Sequence, residues 1–435
     1  MASLSDIQQK LLNDFQQQPV LQNGLSELRT KAIHHFEQLG FPTAKNEEWK
    51  YTNITPTLRP FQIPALQSFT VDRKYLSERL NLGNDIILLV IENGKMNPAI
   101  SDYNSIAGSL EIKSYRGDEE IAFVKKYFSR YADIHIDSFA ALNTAFFNEA
   151  VVIRLVEGTR IDKPIVVVNI TTQNQEAVIT HSRLLVVAEK KSSAKIACVS
   201  ISKNEQIESF SNHVTEVVIE ENATLEFDIF QNENNTSNTV CNTYAYQLRD
   251  SVFTINTVTI GGNLVRNKLH IKLDAENCET HLYGLYLANN SQLIDNHTAV
   301  YHSKPHCNSN QLYKGLIGGK AHGVFNGKIL VEKDAQKTNA FQSNKNILLS
   351  NDAVINSKPQ LEIFADDVKC THGATTGQMD DIALFYLRSR GINEPEAKAM
   401  LNKAFASDVL ENITILPVKE YITREVENKL LKTNA

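Results

Sequence analysis

The side chains best suited to chemistry in this 435-residue chain are Cys370 and His372, separated by Thr371. If the three continue a β-strand, positions i and i+2 emerge on one side of it, and a thiolate and an imidazole converge. Such a pair suits a soft or borderline metal such as iron or zinc, although two donors do not complete a site. On residue types alone a lone C-x-H reads first as structural, with cysteine a small buried hydrophobe and histidine hydrogen-bonded. His297, His302, His306 and Cys307 offer zinc-type donors without the close paired spacing of a zinc site, and histidines at turns more often satisfy backbone groups. Gly315-Leu316-Ile317-Gly318-Gly319-Lys320-Ala321 fails as a phosphate loop. The Walker pattern needs four residues between its glycines and a Ser or Thr after the lysine. These glycines are expected to make a tight turn. No G-x-S-x-G elbow or H-E-x-x-H occurs, so nothing in the chain requires an enzyme.

The elements that must position these residues fall into three regions. Leu4, Ile7, Leu11 and Phe15, then Leu25, Leu28, Ala32, Ile33, Phe36 and Leu39, recur at helical spacing and predict two amphipathic helices. With the mixed signals that follow, residues 1–145 read as an N-terminal helical/α+β region. From about Ala150 to Lys369 the chain turns to short β-branched runs, such as Val151-Val152-Ile153 and Thr254 to Ile260. Turn segments such as Glu220-Glu221-Asn222 and Gly261-Gly262 divide them. The block is about twice a sandwich domain with no linker inside it. It therefore reads as a mainly β fold, a parallel β-helix (solenoid) over 146–372, although no clean repeat motif stands out.

Residues 373–435 return to helices. Thr375-x-x-Gln378 can form a capping box, with Asp380 and Asp381 at the positive end and Arg388, Arg390 and Gly391 closing the helix. Asn393 is an N-cap for a second helix, whose Ala397, Met400, Leu401, Ala404 and Phe405 form a stripe that needs a partner surface. A third helix is expected near Pro417. The two helical ends would cap the solenoid.

The formal charge of -6 and pI near 6.1 argue against nucleic acid as a partner. Asp6, Lys10 and Asp14 interrupt the apolar residues of the first fifteen, and no stretch approaches the ~20 apolar residues of a membrane span, so a cytoplasmic location is expected. Five cysteines with no close pair fit reduced thiols.

Asp366-Asp367-Val368-Lys369-Cys370-Thr371-His372-Gly373-Ala374-Thr375-Thr376-Gly377 followed by Leu384-Phe385-Tyr386-Leu387-Arg388-Ser389-Arg390-Gly391-Ile392 resembles the SufB/SufD family. The likeness continues in Asp295-Asn296-His297-Thr298, His302 to Cys307, Gln311 to Gly315, Phe325 to Lys328, Ala335 to Thr338 and Glu48-Trp49-Lys50-Tyr51-Thr52. A cysteine two residues before T-H-G-A-T-T-G is the SufD form, where SufB reads roughly E-H-E-A-T-T-S. The resemblance implies a right-handed parallel β-helix that serves as a scaffold in iron–sulfur cluster assembly. It implies pairing with a SufB-type subunit and binding of a SufC-type ATPase through the C-terminal helices, with no nucleotide bound by this chain.

On that reading His372 and Cys370 help hold iron or a nascent cluster shared with the SufB-type subunit. Ala397, Met400, Leu401 and Phe405 face the ATPase or pack within the cap. Unpaired strand edges at the ends of a β-helix invite a related sheet, or a second copy in the isolated chain. The alternatives are a purely structural partner that supplies no ligand, and a β-helix enzyme acting on polysaccharide through carboxylates such as Asp366 and Asp367.

Overall fold

The computed structural model describes residues 3–17, 24–63, 69–102, 106, 108–117, 122–172, 176–203 and 208–433. From Ala150 to Gly377 successive strands alternate between two sheets. The chain therefore winds as a parallel β-solenoid of about seven turns. One sheet runs through Ala150–Leu155, Val178–Ala188 and Ser209–Ile219 to Val354–Ile363, and the other through Ile165–Thr171, Ser193–Ser202 and Thr224–Asn232 to Lys369–Gly377. Neighbouring coils stack in register: Leu264 pairs with Leu293 and Leu293 with His322, a step of 29 residues each time.

The corners carry the repeat that composition hides. Lys191, Asn222, Asp250, Asn277, His306 and Lys337 take φ between 56° and 64°. Each is followed by a small buried residue: Ser192, Ala223, Ser251, Cys278, Cys307 and Thr338. The left-handed turn reverses the chain at the same place in each coil, and the small side chain fills the tapered corner. Asparagine and aspartate tolerate that conformation best, which accounts for three of the six.

Over the earlier coils both outer faces of the solenoid are covered, and this is why the strands there read as continuous apolar runs. Ile179, Phe210 and Val240 meet the helices Leu4–Gln17, Ser26–Leu39 and Ser138–Phe146 through Leu11, Phe36, Leu142 and Phe146. On the opposite sheet Val168, Val199, Phe230 and Leu285 meet the helices Glu394–Leu410 and Leu416–Thr433 through Ala406, Val409, Tyr421 and Val426.

The sheets extend across the expected divisions. Ile87–Glu92 pairs parallel with Ile165–Thr171, and Leu110–Tyr115 closes the first coil by pairing antiparallel with Ala150–Leu155. The last strand, Lys369–Gly377, runs past residue 372. Thr375 therefore lies in a strand, and the helix Asp381–Ser389 is capped instead by Asp380, whose carboxylate accepts the amides of Ile382 and Ala383. Asn393 caps the next helix as expected. Gly315 is not in a turn either. It lies within the strand Asn308–Ile317, where an added Cβ would meet the Tyr286 ring at 2.5 Å, and only Gly318 and Gly319 reach the corner.

Candidate functional site

At its C-terminal end the solenoid stops without a covering coil. Lys369–Gly377 is the outermost strand of one sheet and Val354–Ile363 of the other. Cys370, His372, Ala374 and Thr376 stack on Ala340, Gln342, Asn344 and Asn346, all four of which are buried and face the space between the sheets. In-register parallel neighbours point the same way, so Cys370 and His372 face that space too. Cys370 is half-covered, packed beside Ala340 and Val331, while His372 is exposed. The strand geometry expected for C-x-H is thus present, and the thiol and imidazole share one face.

The column leading to His372 changes character along the solenoid. Ile165, Ile196, Phe227, Ile255 and Leu282 are followed by Gln311, Gln342 and His372. An apolar core gives way to amides. Gln342 donates through Nε2 to Gln311 Oε1 at 3.0 Å, and Gln311 donates to Thr298 Oγ1 at 2.5 Å. Beside them Asn344 Oδ1 accepts from Asn346 at 2.7 Å and from Ser357 at 2.8 Å. All but the Asn346–Asn344 bond cross between strands, and together they hold the floor of the open end rigid.

Burial pushes the Cys370 thiol above its ordinary value, with hydrogen bonding at the Ala340 backbone working the other way. Any metal that takes this sulfur must displace its proton, so binding there is coupled to proton release. Among the described residues no group of three or more His, Cys, Asp or Glu side chains converges as a metal site. Cys370 and His372 can supply two donors and leave the remaining positions to another molecule.

The histidines further upstream are not brought together. His297 faces outward and pairs with Asp295 at 3.0 Å, whereas His302 faces inward and shares a hydrogen bond with Ser309 at 2.9 Å. Burial lowers His302 to about 3, which keeps it neutral. His306 and Cys307 are a corner pair, with the Cys307 thiol on the Ala275 carbonyl at 3.2 Å. The Trp49 motif is likewise a structural joint. Arg266 packs on the Trp49 ring 4.0 Å from its centroid and pairs with Asp295, which also accepts the Thr52 hydroxyl at 2.5 Å. Asp367 pairs with Lys337 of the adjacent coil.

The C-terminal stripe divides. Ala397 is fully buried and Phe405 leans on the core beneath Lys314, whereas Leu401 is half-buried and Met400 is 50% exposed. The preceding helix shows more apolar surface than the stripe does. No residue of Asp381–Ser389 is buried, and Ile382, Phe385 and Tyr386 are 82%, 73% and 57% exposed. Sequence reasoning passed over them, although their i, i+3, i+4 spacing was visible beside the capping residues. Phe341, Val354, Ile363 and Phe364 form a second exposed apolar set at the open end. A groove of about 850 Å³ shares no residue with either set. It lies on the flank between Leu82–Asp85, Lys195, Glu226 and Thr414–Pro417.

Comparison with known proteins agrees with this architecture. Residues 170–405 match the family described as "SUF system FeS cluster assembly, SufBD core domain", and residues 7–167 match the "SufBD protein N-terminal region". The chain is 31% identical to an iron-sulfur cluster assembly SufBD family protein of Synechocystis sp., over 87% of this chain and 85% of that one. It is 29% identical to iron-sulfur cluster assembly protein SufD of Escherichia coli, over 92% of each chain, and 24% identical to SufD of Bacillus subtilis, over 98% of each. With both family regions matched in order along a solenoid that ends in Cys370 and His372, the chain belongs to the SufBD family of iron–sulfur cluster assembly proteins.

Proposed function

We propose that this protein is a non-catalytic scaffold subunit that pairs with a SufB-type subunit through the open end of its solenoid. It binds a SufC-type ATPase through its C-terminal helices, and it contributes His372, with Cys370 beside it, to holding iron or a nascent cluster at the subunit boundary. The observation that carries this reading is the placement of Cys370 and His372 on the inward-facing side of the last strand, at the uncovered end of the solenoid. Two donors at an unpaired sheet edge form half of a site, and a related solenoid with the same strand spacing both covers the edge and brings further donors. The iron or cluster is cargo here rather than a resident cofactor. In the isolated chain the same edge is available to a second copy.

The apolar face Ile382, Phe385 and Tyr386 suits the ATPase, because it lies just after the last strand and is not consumed by packing within the cap. Co-expression with SufB-type and SufC-type partners tests the assignment of the two surfaces. Val354→Lys with Phe364→Lys should release the SufB-type subunit, and Phe385→Asp should release the ATPase. Retention of both partners by both variants would overturn it.

A further inference from the structure

Directly beneath His372 lies an acceptor with nothing to accept. Gln342 is 3% exposed, and its Oε1 has no hydrogen-bond donor among the described residues. Its Nε2 is committed to Gln311, which is itself committed to Thr298, so the amide cannot turn over without breaking the chain of bonds. Across the interior Gly327 leaves the room the amide occupies. A Cβ at residue 327 would meet Gln342 Nε2 at 2.4 Å and Cδ at 2.9 Å. A buried carbonyl held in one orientation normally has a donor, and the next side chain on the same inward column is the His372 imidazole.

From this arrangement we propose that Gln342 is a positioning residue for His372: when the open end is covered by a partner and iron is held there, the imidazole turns inward, Gln342 Oε1 accepts its N–H, and that bond fixes one tautomer and directs the lone pair of the other ring nitrogen toward the iron. This rests on the reading of His372 as a ligand. A metal-binding histidine needs its non-ligating N–H held, because the bond selects both ring angle and tautomer and makes the ligating nitrogen more basic. The Gln311–Gln342 pair replaces the apolar column where such a bond is needed. Gln311 and Thr298 act one and two steps further back, as supports for the amide.

The test uses the assembled complex. Gln342→Met, nearly the same volume without the acceptor, should weaken iron retention by the complex about tenfold at limiting iron while both partners stay bound. Gln342→Glu, which keeps an acceptor, should restore it. In the assembled complex, nitrogen-15 NMR of imidazole-labelled histidine in this chain should show one tautomer for His372 and an averaged pair in Gln342→Met. Gln311→Met, which frees the amide to rotate, should average the tautomers in the same way and serves if Gln342→Met folds poorly. Loss of iron in His372→Ala together with unchanged iron and unchanged tautomer in Gln342→Met would overturn this inference alone. Unchanged iron in His372→Ala would overturn the ligand reading and this inference with it.

Discussion

Cys370 and His372 face the same way from the last strand of the solenoid, the first packed beside Ala340 and the second uncovered above Gln342. The fold makes them converge through strand alternation alone. Their difference in cover also divides their roles. His372 is open to an incoming ligand, whereas Cys370 is half-covered and must lose a proton that burial helps it keep.

The small residues of the strands set the interior spacing. Replacing Gly315 by Ala drives a Cβ to 2.5 Å from the Tyr286 ring and 2.6 Å from Asn346 Oδ1. Overpacking of this kind costs about 1–3 kcal/mol. Urea unfolding of Gly315→Ala should show a lower midpoint with little change in slope.

Arg183 and Glu216 form a 2.5 Å ion pair with neither side chain exposed, and Glu216 also accepts the backbone amides of Ser129 and Tyr131 at 2.9 Å each. The pair joins the N-terminal region to the solenoid. Glu216→Ala strands a buried guanidinium, at a cost of about 3–5 kcal/mol. The double change Arg183→Met with Glu216→Leu should recover much of that loss in the same unfolding measurement.

Acid should weaken the fold from just below neutrality. Burial lowers His181 to about 3, helped by the neighbouring His213 and Arg29 charges, and lowers His213 to about 4. The unfolded chain takes up these protons near pH 6.5 and the folded chain does not. The stabilisation is therefore complete above 6.5 and falls as pH drops toward 4, by about 1.4 kcal/mol per unit for each histidine. His181→Leu should make the fall between pH 6.5 and 4 shallower by about one proton. An unchanged slope would contradict this.

Phe385 is 73% exposed on a helix with no buried residue, whereas Ala397, on the next helix, is fully buried. Phe385→Asp should leave the unfolding midpoint within about 0.5 kcal/mol of wild type. It should nevertheless abolish co-purification of the SufC-type ATPase. Ala397→Asp should instead destabilise the chain by burying an unpaired charge.

Much of the architecture is written in the order of the residues. The solenoid followed from β-branched runs such as Val151-Val152-Ile153, apolar on both faces because helices cover both sheets. Its repeat escaped notice because a corner needs only a left-handed residue and a small one. Pairs as different as Lys191-Ser192, Asn277-Cys278 and His306-Cys307 all satisfy that need. Cys370 and His372 were legible because strand spacing is local. Gln342 was not, since its part depends on stacking 30 residues before His372. The exposed face of Ile382, Phe385 and Tyr386 was hidden for a related reason, as the three look like any short amphipathic helix until the fold leaves them uncovered.

The central claim is that His372 holds iron or a nascent cluster at the end of the solenoid. The most direct test is anaerobic purification of the complex with its SufB-type and SufC-type partners, wild type beside His372→Ala, with iron and acid-labile sulfide measured per complex. The account predicts an intact complex in both cases and a several-fold loss of iron and sulfide in the variant. Equal iron and sulfide in an intact His372→Ala complex would contradict it and leave the protein a purely structural partner.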